Sequence, residues 1–309
     1  MLPTILASSV IRSTHRGDSH GGIYRVNMET DEQTQMLDWN NPDIDWKGRG
    51  GDRGIRGLAF YGHTLYAVAG NELFAFEQDG DALKLVASYT TPYLSLTHES
   101  WRHIDKLYIC SGGTDSVLVF DLVTKQWTTS FFHNKDSGGT KEFDPITGVG
   151  YSQPTGGFMH LDSVYADDNA MWYCGAYTDG IWRFDLESGQ TTKHQLQIPD
   201  THNARPYRGG FLYNLSRMSK TVFEHGGTIV DEWETPLPPM SALHHTNLPS
   251  DHAVLGYTRG MVTYDDYVIV GTSPASLHVF ALGGEAVKSI ALSNDLRNSI
   301  CGMCLYEWS

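Results

Sequence analysis

The sequence predicts an all-β fold, a six-bladed β-propeller, from three observations. Short runs rich in Val, Ile, Leu, Phe and Tyr recur along the 309 residues between clusters of Gly, Asp, Asn and Ser, and no long segment carries the 3.6-residue apolar period of a helix. The runs repeat one plan: a strand, an Asp/Gly turn, an apolar strand ending near Gly or Ser, a short loop, and a strand closing on Phe. The residues that open the first strands, Arg56, His98, His160, His202, Arg259 and Cys301, are separated by 42, 62, 42, 57 and 42 residues. A four-stranded blade takes roughly 40–50 residues.

The elements follow in order. "ILASSVIRS", "GGIYRVNME" and "TQMLDW" read as three strands of a blade that lacks its first. Five whole blades begin "RGLAFYGHTLYAVAG", "HESWRHIDKLYICSGG", "HLDSVYADDNAMWYCG", "HNARPYRGGFLYNLS" and "RGMVTYDDYVIVGTS". The two long intervals hold insertions, "HNKDSGGTKEFDPITGVGYSQPTGG" and "WETPLPPMSALHHTNLPSDHAVLG", whose Gly and Pro content predicts loops. "CGMCLYEWS" supplies the missing first strand, so the sixth blade is closed by both chain ends and the ring has no free sheet edge. Residues 1–309 then form one propeller domain.

Composition restricts the function. The net charge of −14, from 22 Lys and Arg against 36 Asp and Glu, repels nucleic acid and anionic membranes, so an anionic partner requires a local basic site. No apolar window is long enough to span a bilayer, and the N-terminus lacks the basic and apolar regions of a secretion signal. Four cysteines, Cys110, Cys174, Cys301 and Cys304, are too few for a disulfide scaffold and are expected to be reduced thiols in a cytoplasmic protein. "CGMC" has CxxC spacing, but its cysteines lie on one strand and point to opposite faces, which argues against a zinc or redox pair. "RGDS" reads as a loop, and "NLS" at 214–216 as part of a strand.

The phrase "HNARPYRGGFLY" at 202–213 resembles an "H-N/S-P-x-W/Y-x-x-G-x-L-Y" phrase in the blades of uncharacterised bacterial propeller proteins of the conserved hypothetical class. Ala204 and Arg205 depart from that phrase. The resemblance implies the propeller fold and no particular activity.

The first strands of a propeller begin at one end of the central channel. His98, His160 and His202 are therefore expected at one height on three consecutive blades, with Arg56 and Arg259 across from them and Cys301 on the last. Three imidazoles suit a divalent Zn, Mn or Fe ion, and two guanidinium groups suit a carboxylate or phosphate. Asp162 is a candidate to orient a ligand imidazole. The loops expected on the same rim carry His15, Arg16, Asp18, His20, Asp115, Tyr177, Asp179 and Arg217, and the insertions add His133, His244, His245 and His252.

These residues predict a metal-dependent lyase or hydrolase for a small anionic substrate. His98, His160 and His202 would hold the metal, Arg56 and Arg259 the substrate, and His20 or Tyr177 would move a proton. The arrangement is similar in principle to propeller lyases that act on uronic sugars. Two other functions fit the same residues: a non-haem iron oxygenase with a multi-histidine site, and a propeller that binds a glycan or a protein without catalysis.

Overall fold

The computed structural model of the protein describes residues 1–15, 17–40, 54–153, 156–198, 201–247 and 254–308. Its strands are β1 (Thr4–Ile11), β2 (Gly21–Asn27), β3 (Gln33–Asp38), β4 (Ile55–Tyr61), β5 (Thr64–Ala69), β6 (Glu72–Asp79) and β7 (Ala82–Tyr89). Then come β8 (Thr97–His103), β9 (Lys106–Ser111), β10 (Ser116–Asp121), β11 (Gln126–Asn134), β12 (Gly139–Phe143), β13 (Leu161–Ala166), β14 (Ala170–Gly175), β15 (Gly180–Asp185) and β16 (Thr191–Gln195). The chain continues with β17 (His202–Tyr207), β18 (Gly210–Leu215), β19 (Lys220–His225), β20 (Thr228–Glu234), β21 (Arg259–Tyr264), β22 (Tyr267–Thr272), β23 (Ser276–Ala281), β24 (Ala286–Ala291) and β25 (Asn298–Leu305).

These strands make six antiparallel sheets, as the repeat predicts. The inner strands β4, β8, β13, β17, β21 and β25 are neighbours in that order, and β25 returns to β4, so the sheets form a closed ring. The sixth blade has the order β25-β1-β2-β3, which joins the two ends of the chain by main-chain hydrogen bonds.

Each sheet packs against a neighbour on both faces, so the middle strands are apolar almost throughout. β5 (TLYAVA) is buried at all but its first residue, and β22 (YVIVGT) likewise. The outermost strands keep one wet face, as the alternation in β20 shows. An apolar cluster fills the space between each pair of successive blades. Between the sixth blade and the first, Trp308 packs edge-on against Phe60 at 4.6 Å and donates its indole N–H to the His63 carbonyl.

The first insertion is not simply a loop. β11 runs on to Asn134 and pairs with β12, giving the second blade a fifth strand. The Gly-rich turn "DSGG" at 136–139 makes a hairpin there, with Gly138 at φ +67°. In the second insertion, the described residues run through a 3-10 turn at Met240–Ala242 and touch the rest of the ring by a bridge from His244 to Asp295.

Candidate functional site at the channel neck

Every inner strand carries a bulge near its start, where the pairing with the next strand slips. A bulge re-aims the side chains beside it, and here it turns them toward the channel. Glycines allow the inner strands to crowd at this height: a Cβ on Gly302 would lie 2.0 Å from the Arg56 carbonyl oxygen, and one on Gly57 would lie 2.4 Å from the Ser100 nitrogen. Ser8 fastens the same junction, accepting the Gly302 N–H and donating to the Arg56 carbonyl.

The residues that meet around a small space at this neck are Arg56, His98, Asp162, His202, Arg259 and Cys301. His160 is replaced in the expected ring by Asp162. The reason lies in the hairpin. Arg56, His98, His202 and Arg259 each stand five residues before the pair that closes the first turn of their blade, at Tyr61, His103, Tyr207 and Tyr264. In the third blade that turn closes at Asp167, through its N–H to the Ala170 carbonyl. Counting from the turn therefore selects Asp162.

The hydrogen bonds at the neck determine proton positions. Arg56 donates to His98 Nδ1 at 2.8 Å; a guanidinium only donates, so neutral His98 carries its proton on Nε2. That Nε2 meets His160 Nε2 at 3.1 Å. His202 Nδ1 meets Ser216 Oγ at 2.9 Å, and Ser216 donates to the Thr258 carbonyl, so Nδ1 is the donor. Its Nε2 then accepts from Arg259 at 3.0 Å. Asp162 Oδ2 lies 3.1 Å from the same Nε2. That nitrogen has a single lone pair, which Arg259 fills, so Asp162 stands beside His202 as a close polar neighbour.

This donor set does not fit the expected metal. The ring nitrogens of His98 and His202 that a metal would need are committed to guanidinium groups or carry protons. Among the described residues, no three His, Cys, Asp or Glu side chains gather in a metal-binding arrangement. A multi-histidine iron site meets the same objection.

Burial, and then the nearby positive charges, hold both neck histidines well below the ordinary histidine value. For His98 the largest charge is Arg56; for His202 it is Arg259, with Arg56 and Arg12 adding to it. Arg259 also lies over the Tyr257 ring at 4.9 Å. The neck space is about 10 Å³, room for about one water. Arg12, Tyr257 and Arg297 line a shallow recess beside it, where Arg297 pairs with Asp295 at 2.8 Å.

His160 sits half-buried just before β13 at φ +53°, with the exposed Tyr177 ring 5.6 Å away. Asp115 fixes this loop by accepting the Met159 N–H, and burial pushes its carboxyl up. His20 does not overhang the channel: its side chain is fully buried and hydrogen-bonded to Thr14. Nor is His133 on the rim, since it lies between blades against Tyr173 and Trp182. His15, Asp18, Arg217 and His244 are exposed, Asp179 pairs with Lys193, and His245 with Asp295. Arg16 and His252 lie outside the described residues.

Ser216, Tyr257, Arg12 and Arg297 escape sequence reasoning because none stands in the repeat position. Asp162 had a signal, namely its distance from the turn "ADDNA" rather than from the preceding ring residue.

No family model matches the chain, and no curated protein matches it. It is similar to a solved structure of a protein of unknown function from Bacteroides caccae, with a TM-score of 0.58 and 11% identity over 99% of this chain and 100% of that one. It is also similar to a chain of the nidogen/laminin complex, with a TM-score of 0.59 and 8% identity over 98% and 97%. Apo AztD from Citrobacter koseri aligns with a TM-score of 0.51 and 10% identity over 98% of each chain. At such identities the likeness shows the propeller fold alone.

Proposed function

We propose that the chain is a lyase or hydrolase for a small carboxylate- or phosphate-bearing molecule bound at the channel mouth above Arg56 and Arg259. The observation that carries this reading is the convergence of guanidinium groups on two neutral imidazoles. Arg56 and Arg259 each donate to one, in a protein whose overall charge is −14. Guanidinium groups held this way suit bidentate anion recognition. Because the neck has room for about one water, at most one oxygen of an anionic terminus reaches it, and the reacting carbon stays above.

Proton transfer falls to the Asp162–His202 pair. While the mouth is empty, Arg259 opposes protonation of His202. A bound anion offsets that charge, raises the affinity of His202 for a proton, and so readies a general acid beside the substrate. His98 and His160 form a second hydrogen-bonded line from Arg56 toward the rim, where Tyr177 covers His160.

Malonate and inorganic phosphate are suitable probes. Calorimetric titration in two buffers of different ionisation enthalpy should show proton uptake on binding, and affinity should rise as pH falls from 7.5 to 5.5. Arg259→Lys should weaken binding roughly ten- to a hundredfold, the effect of about 1.5–3 kcal/mol for a charge-assisted contact. His202→Gln should still bind but without the uptake. Equal binding of both anions to the lysine variant, with no proton uptake in either protein, would overturn the proposal.

A further inference from the structure

Below the neck the channel widens into a chamber of about 240 Å³ that the proposed activity does not use. Its walls come from the later residues of the inner strands, among them Phe60, Trp101, Met261 and Met303. Glu99 and Asn203 line both this chamber and the neck, and so form the partition between them. The register explains the shape. The residue after the ring position is Gly57, Gly260 or Gly302 on three blades, but Glu99 and Asn203 on two others. Side chains therefore cross the channel on one side only, and the glycine side leaves room.

We propose that this lower chamber binds a small neutral alcohol or phenol. The walls supply an apolar surface, and the volume exceeds the roughly 150 Å³ of a dry cavity known to accept benzene. The polar end is Glu99, which accepts from Arg205 Nη2 at 2.9 Å, Asn203 Nδ2 at 3.2 Å and the Val164 N–H at 3.3 Å. An ionised carboxylate has about four acceptor positions, so one remains for a ligand donor. Arg205 already balances the charge of Glu99 inside the protein, so an ammonium head gains little. A carboxylate head meets Glu99 as a like charge. A hydroxyl supplies the one donor and brings no charge.

The test uses p-cresol, toluene and benzoate as probes of the whole protein labelled with ¹³C at the methionine methyls, Met261 and Met303 being assigned by their Leu variants. The expected result is saturable shifts of both methyls with p-cresol, at least fivefold weaker binding of toluene, and no shift of these methyls with benzoate. Thr263→Trp places a large side chain at a half-buried chamber position and should abolish the p-cresol shifts while circular dichroism stays unchanged. Absence of saturable p-cresol shifts in the unmodified protein overturns the proposal, as does benzoate binding equal to that of p-cresol; neither result depends on the variant folding.

Discussion

Buried histidines in this protein stand in two different surroundings, and burial alone does not separate them. His278 is buried and hydrogen-bonded to the Thr272 and Ser289 hydroxyls at 3.0 and 2.8 Å. Burial brings it down to about 4. Its ordinary value lies near 6.5, so the unfolded chain takes up the proton first as pH falls. The stability that His278 contributes is complete above about pH 6.5 and is lost between there and about pH 4, by about 3 kcal/mol at most. Urea unfolding measured from pH 7 to 4 should show that decline, and His278→Gln should flatten part of it. An identical pH profile in the variant would mean that other groups account for the acid sensitivity. His202 differs because, beyond burial, its depression includes the charge of Arg259, which the proposed anion would offset.

At the scale of the element, the bulged start of each inner strand is the device that converts a sheet edge into a site. The bulge depends on close backbone approach, which only glycine permits where β25 meets β4. Gly302→Ala forces a Cβ to within 2.0 Å of the Arg56 carbonyl oxygen, and the strands must part. Thermal unfolding should register a loss of at least about 2 kcal/mol, within the range for forced overpacking. Anion binding should fall with it, because Arg56 belongs to the displaced strand. Gly139→Ala is the control: its nearest neighbour would be Thr191 Oγ1 at 3.6 Å, an ordinary contact, so its melting temperature should stay within a degree or two. Equal effects of the two substitutions would remove the packing argument.

Over the whole molecule, stability depends on closing the ring. β25 pairs with β1, contacts β4 and β21, and leads to Trp308 against Phe60. Removing residues 301–309 takes away most of that strand, uncovers the β1 edge and opens the clusters on both sides of the sixth blade. The truncated chain should lose cooperative thermal unfolding rather than melt a few degrees lower. A sharp transition at the unchanged temperature would show that five blades hold together without the sixth.

The six blades, their limits and the union of the two chain ends were legible in the sequence, because alternation, turn residues and a 42-residue spacing are local signals that each blade expresses independently. Arg56, His98, His202 and Arg259 were legible for the same reason, each keeping its distance from its own hairpin. The exchange of His160 for Asp162 was hidden because the third blade is two residues shorter than the 42-residue spacing: 40 residues separate Asp162 from His202, so a 42-residue interval selects His160. Only the tertiary structure decided which partners the ring residues meet. Whether an imidazole offers a lone pair to a metal or takes a hydrogen bond from an arginine depends on which side chain a neighbouring blade presents at 3 Å. That distance is set by strands far apart in the chain, and no periodicity within one strand encodes it.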